Sequence, residues 1–182
     1  MFDEIKPGVQ IVRPDKIHER SFMEAFRESE SDEDRFALVY LGSESYSKFS
    51  TMTFSEYVSL LLEREHTAPA GFVTDSIYWG IFEGEVVGRI SMRHELNEFL
   101  KVLGGHIGYY VKPSARRKGA ATQMLREILQ TERALKIKSL LLTCDEDNVA
   151  SAKTILKVGG VLESLIEYDP NKPKKKRFWI NL

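Results

Sequence analysis

The chain has 182 residues, of which 42% are hydrophobic and 29% charged, and its formal net charge is −1. That is enough apolar material for one domain spanning residues 1–182, and the balanced charge excludes a general affinity for polyanions. Cys144 is the sole cysteine, so no intrachain disulfide can form; no apolar run approaches membrane-spanning length, and Met1-Phe-Asp-Glu4 does not read as a signal peptide, so a cytoplasmic protein is expected.

Gly8 to Arg13 alternates like a short strand, and Pro14-Asp15 ends it. Asp15 can cap a helix over about Ile17 to Glu30, with Phe22, Met23 and Phe26 as its apolar side. An acidic break follows at Ser29 to Asp34. Thr53-Phe-Ser-Glu56 has the spacing of a capping box and opens a helix to about Glu65, after which Thr67 to Gly71 is a loop. Ser76 to Phe82 and Val86 to Arg93 predict a hairpin turned at Glu83-Gly84-Glu85, where Gly84 supplies a positive φ. Gly104-Gly105 precedes a strand from His106 to Val111. One amphipathic helix follows, burying Ala121, Met124, Leu125, Ile128, Leu129 and Leu135. Ser139 to Cys144 reads as a buried strand, and Asp147-Asn148 cap a helix over Val149 to Val158 that Gly159-Gly160 ends. Val161 to Tyr168 and Arg177 to Asn181 complete a hairpin. The unit from His106 to Cys144 predicts a right-handed parallel crossover, and the whole an α/β fold with a mixed sheet.

The stretch with the most chemistry is Val111-Lys-Pro-Ser-Ala-Arg-Arg-Lys-Gly-Ala-Ala-Thr122. It joins a strand to a helix through a basic, Gly-containing turn. The first N–H groups of a helix have no intrahelical partner and its dipole favours negative charge there, so this turn predicts an anion site. The spacing matches neither the P-loop nor Gly-x-Gly-x-x-Gly. Elsewhere the residues read as structure. Cys144 ends a Leu-rich strand without an adjacent His, and Asp145-Glu-Asp147 fits helix capping better than a metal. Lys172 to Arg177 fits a solvated hairpin tip, so neither a metal nor nucleic acid is expected.

The element order, with Arg116-x-x-Gly119-x-Ala121, resembles the GNAT N-acyltransferase superfamily. Asn148-Val-Ala-Ser151 followed by Lys157-Val-Gly159 resembles a second segment of that superfamily. Arg93-His-Glu-Leu-Asn97, Gly104-Gly-His-Ile-Gly108, Leu142-Thr-Cys-Asp145, Gly159-Gly-Val-Leu-Glu163 and Phe178-Trp-Ile-x-Leu182 are similar to a group of bacterial acetyltransferases of undefined acceptor. The resemblance implies a mostly antiparallel sheet flanked by helices, whose fourth and fifth strands run parallel and splay around acetyl-CoA. It implies that Tyr109, Tyr110 and Val111 lie along the pantetheine arm. The pyrophosphate would rest on the N–H groups of Arg117, Lys118, Gly119, Ala120, Ala121 and Thr122, with Arg116 lining the turn. Asn148 and Ser151 would face the donor from the other side, and residues 1–70 would shape the acceptor side of the core formed by 71–182.

Acetyl transfer to a primary amine by direct attack needs a neutral amine, a donor to the carbonyl oxygen and a proton for the thiolate. His106, His94 and Glu95 are the candidate bases. The superfamily's usual acid, a Tyr seven residues after the Asn, is replaced here by Ile155; Tyr109, Tyr110 and Tyr168 are the substitutes. Glu95, Glu98, Glu163 and Glu167 suggest a small cationic acceptor, with a protein N-terminus or lysine as the alternative. A non-catalytic acyl-CoA-binding module is the rival reading, and a homodimer is compatible with either.

Overall fold

The computed structural model describes residues 8–31, 37–40 and 45–182, so part of the expected acidic break lies outside the described residues. The strands are β1 (Gln10–Val12), β2 (Asp75–Phe82), β3 (Glu85–Arg93), β4 (Ile107–Val111), β5 (Ser139–Asp145), β6 (Val161–Ile166) and β7 (Lys175–Asn181). The helices are α1 (Glu19–Glu28), α2 (Ser45–Thr51), α3 (Phe54–Glu63), α4 (Ala120–Leu129), α5 (Glu132–Ile137) and α6 (Val149–Lys157).

Short-range signals act as expected. Asp15 accepts the Ile17 N–H and opens a 3-10 turn that runs into α1. Thr53 and Glu56 cap α3 reciprocally. The helix after the basic turn does not run through to Leu135. Thr131 accepts the Ala134 N–H and begins α5 afresh, because a threonine side chain competes with the helical backbone. Lys175, Lys176 and Arg177 belong to β7 rather than to a hairpin tip; Lys175 pairs with Asp145 and Arg177 with Glu163.

Instead of one mixed sheet there are two antiparallel ones, in the orders β1-β2-β3-β4 and β5-β7-β6. They meet where the His106 N–H donates to the Leu141 carbonyl at 2.6 Å and the Leu141 N–H donates to His106 Nδ1 at 2.9 Å. Gly105 makes this approach feasible. Its backbone, at φ 63° and ψ −173°, lies in a region open to glycine alone, and a Cβ there would stand 2.5 Å from the Leu141 oxygen. Gly105→Ala is therefore expected to lower stability by about 2 kcal/mol, read from urea melts.

Each face of the first sheet has its own core. Ile77 and Trp79 of β2 pack with Phe22, Phe54 and Tyr57 from α1 and α3. On the other face Ile90 and Met92 pack with Met124, Leu125 and Ile128 of α4, and with Leu140 and Phe178 of the second sheet. A continuous apolar layer thus holds the two sheets together beneath α4 although their strands do not pair.

Candidate active site

The hydrogen-bond phase of β4 decides what its free edge offers. The Lys112 N–H donates to the Val87 carbonyl and the Arg93 N–H to the His106 carbonyl. Alternation then points the peptide groups of residues 108 and 110 at β3, and those of Ile107, Tyr109 and Val111 away from it, towards the second sheet. Past the His106–Leu141 pair no ladder joins β4 to β5. The Tyr109 and Val111 peptide groups therefore border a cleft between the sheets.

The basic turn closes one end of that cleft. Ser114 donates through its N–H (2.5 Å) and hydroxyl (2.9 Å) to the Glu28 carboxylate, which pins the turn to α1. Arg117 at φ 62° and Gly119 at φ 88° reverse the chain, and α4 starts at Ala120. Among the described residues no side chain caps α4; its first helical bond runs from the Gln123 N–H to the Gly119 carbonyl. The N–H groups of Ala120, Ala121 and Thr122 thus have no acceptor within the helix. Open space lies where a Gly119 side chain would be, and Arg117 and Lys118 are exposed beside it. Arg116 braces the turn: its Nε donates to the Val111 carbonyl at 2.9 Å and its guanidinium stacks 5.4 Å above the Tyr110 ring.

Across the cleft, Asn148 caps α6 by accepting the Ser151 N–H at 2.9 Å. The Ser151 hydroxyl lies 2.8 Å from the Tyr109 hydroxyl, so one tyrosine spans from β4 to α6. Burial pushes the Tyr109 pKa up, which keeps its proton in place. Cys144 is buried nearby and its thiol is likewise pushed up by burial. Ile155 is 1% exposed and packs in the core.

Several sequence expectations place differently. Tyr110 is on the opposite face from Tyr109, its ring within the aromatic core of α1 and α3, and its peptide groups face β3. It is not on the cleft wall. His106 accepts the Leu141 N–H at Nδ1, and burial, aided by Arg93, depresses its pKa to about 4. At neutral pH that ring is uncharged, and it pins the two sheets together. His94 sits at the end of β3, its Nδ1 3.0 Å from the Thr74 hydroxyl and its Nε2 2.8 Å from that of Ser76, and burial lowers its pKa as well. Both of its ring nitrogens are engaged on the α4 side of the sheet. Glu95 is exposed beyond the end of β3. The four glutamates do not converge. Glu98 pairs with Lys101, Glu163 with Arg177 and Trp179, and Glu167 with Lys174. Among the described residues no group of three or more His, Cys, Asp or Glu side chains could hold a metal ion, and no helix is long and apolar enough to cross a membrane.

A family model described as an acetyltransferase (GNAT) domain matches residues 22–161. The chain belongs to the GNAT acetyltransferase family. Its acyl donor as a GNAT protein is acetyl-CoA. Many solved structures share the fold, among them these three. One is the microcin C7 self-immunity acetyltransferase MccE, in complex with acetyl-CoA and AMP, at 15% identity over 96% of this chain and 93% of that one, TM-score 0.65. Another is RimL, the ribosomal L7/L12 α-N-protein acetyltransferase, in complex with coenzyme A, at 17% identity over 98% of each chain, TM-score 0.64. The third is RimJ of Mycobacterium smegmatis with a coenzyme A disulfide, at 18% identity over 97% of this chain and 88% of that one, TM-score 0.64. No curated protein matches the chain. Sequence reasoning missed the row Arg89, Ser91, Arg93 on β3 and the contribution of Arg64 beside it. The period-two spacing of those charges along one strand was the available signal.

Proposed function

We propose that this GNAT protein transfers the acetyl group of acetyl-CoA to a primary amine by direct attack within a ternary complex. The observation that carries the reading is the pairing of an uncapped, basic helix start at Gly119–Thr122 with the strand edge at Tyr109 and Val111 that faces an unpaired gap. The first suits a diphosphate. The second supplies fixed N–H donors for the arm that follows it and for the oxygen that gains charge.

In this reading the Ala120, Ala121 and Thr122 amides and the Arg117 and Lys118 charges hold the pyrophosphate, while Arg116 keeps the turn folded. The Val111 and Tyr109 N–H groups orient the pantetheine and the thioester. Asn148 and Ser151 form the opposing wall. Tyr109 gives its proton to the departing sulfur, since its hydroxyl reaches α6 one residue turn before Ile155, where the superfamily's usual Tyr would start. With both histidines engaged elsewhere, the amine's proton leaves through water. The convergence that suggested a cationic acceptor does not form, which leaves a primary amine as the acceptor. The likeness to RimL supports a protein N-terminus as the second reading.

The test is release of coenzyme A from acetyl-CoA against parallel panels of small amines and of peptides. Activity on peptides alone would select the second reading; tight acetyl-CoA binding with no turnover on either panel would leave a non-catalytic acyl-CoA-binding module. Tyr109→Phe is expected to lower kcat about 30-fold with the KM for acetyl-CoA kept within about twofold, because a thiolate with a pKa of about 8.5 can still take its proton from water.

A further inference from the structure

One face of the first sheet carries charge that acetyl transfer, as described, leaves unused. Register sets Asp75 opposite Arg93, Ile77 opposite Ser91 and Trp79 opposite Arg89, and carries on across β4 to Gly108 beside Ser91 and Tyr110 beside Arg89. All of these side chains lie on the α1–α3 side. Arg64, at the end of α3, folds over the same corner. Its Nε donates to Asp75 at 2.7 Å and its Nη2 to the Val73 carbonyl at 3.4 Å, while its Nη1 is buried without a partner among the described residues. Arg89, 3% exposed, donates to the carbonyls of Leu38 and Tyr40. Arg93 donates through Nη1 to the carbonyls of Gly104 and Gly105, and its guanidinium lies over Gly108, where a Cβ would stand 3.6 Å from Nη2.

Around this corner three guanidinium groups meet the single carboxylate of Asp75 among the described residues. Burial is the main influence that pulls Arg93 below its ordinary pKa; Arg89 and Arg64 add repulsion, and Asp75 and Tyr40 oppose it. A surplus of buried positive charge is unfavourable until an anion joins it. The Nε and Nη2 of Arg93 make no bond among the described residues, and together they form the edge that takes a carboxylate through two parallel hydrogen bonds.

The position of Arg93 links that charge to the reaction. Gly108 lies between Ile107 and Tyr109, whose peptide groups face the cleft. On the opposite face the cleft is closed by α4 and by the Tyr109–Ser151 bond. The face left for an amine at this part of the β4 edge is the one bearing Gly108, Ser91 and Arg93, all three of them half-buried rather than sealed in the core.

We propose that the acceptor is a small amine bearing a carboxylate, an amino acid in the broad sense, and that Arg93 binds that carboxylate from the α1–α3 side while Ser91 lies beside it. This assignment rests on the acetyl-transfer reading. It makes Arg93 a specificity-determining residue, with Arg64 and Arg89 setting the local field.

The test titrates the chain, saturated with coenzyme A, with a panel of the twenty common amino acids, and in parallel with their carboxamides and their decarboxylated amines. At least one amino acid is expected to bind about tenfold or more tighter than its carboxamide and its amine. Arg93→Gln should erase that preference, and Arg93→Lys, which keeps the charge but loses the fork, should retain part of it. Coenzyme A affinity, unchanged in both variants, reports that they are folded. Equal binding of the three series, no binding of any amino acid, or a preference that survives Arg93→Gln would overturn the proposal. Failure of the wild-type chain to bind coenzyme A at all would instead overturn the acetyl-transfer reading beneath it.

Discussion

Gly119→Glu is expected to weaken acetyl-CoA binding by about a thousandfold while leaving the fold in place. Nothing lies within 4 Å of where a side chain at Gly119 would begin, so a glutamate meets no packing obstacle. The backbone φ of 88° does strain any residue with a Cβ, at a cost of about 1–2 kcal/mol. The binding loss has a separate origin. A carboxylate at the start of α4 is drawn to the same N–H groups and dipole that would receive the diphosphate, so the variant caps its own helix and fills the seat. It also repels whatever phosphate approaches. Gly119→Ala divides the two effects, since it carries the strain without the charge. Calorimetric titration with acetyl-CoA and thermal melts of both variants supply the measurement. Gly119→Ala should melt lower yet bind within about fivefold of wild type, and Gly119→Glu should lose binding at a similar melting temperature. If the two variants bound alike, the helix start would not be the diphosphate seat.

The parts of the fold that were legible in the sequence are those written in short range. The Thr53–Glu56 box, the Asp15 and Asn148 caps and the Gly84 turn each need only a few neighbouring residues, and all four form. The turn before α4 was legible for the same reason, because a strand, a glycine and a helix start are consecutive. What stayed hidden depends on residues far apart in the chain. That β4 pairs with β3 in a phase which turns Tyr109 outward and Tyr110 inward is fixed by bonds such as Lys112 to Val87, which alternation alone does not specify. The meeting of Arg64 with Asp75 and Arg93 joins three elements. The glutamates at 95, 98, 163 and 167 come from two stretches far apart in the chain, so whether they meet depends on long-range packing. Each has a local partner or open solvent instead.

Acidification supplies the second large effect, and it separates the two roles open to a histidine at the start of β4. In the folded chain burial holds His106 at a pKa of about 4, against about 6.5 for an exposed imidazole. The folded form therefore takes up its proton later than the unfolded one does. Stability from this group is fully present above pH 6.5 and is lost as the pH falls from about 6.5 through about 4, a total of about 3 kcal/mol. The burial that lowers the His94 pKa works in the same direction. Protonation at Nδ1 would also set two N–H donors, that of the imidazolium and that of Leu141, against each other at 2.9 Å, so the joint between the sheets opens at acid pH. His106→Asn keeps an acceptor for the Leu141 N–H but cannot titrate. Denaturant melts across pH 4 to 7 should show the wild-type chain losing about 3 kcal/mol more than this variant, whose own slope reports the remaining groups. Acetyl transfer in His106→Asn at pH 7.5 should keep kcat within about threefold, because a pin that retains its hydrogen bond leaves the cleft geometry unchanged. A general base would behave otherwise, with kcat falling about a hundredfold or more.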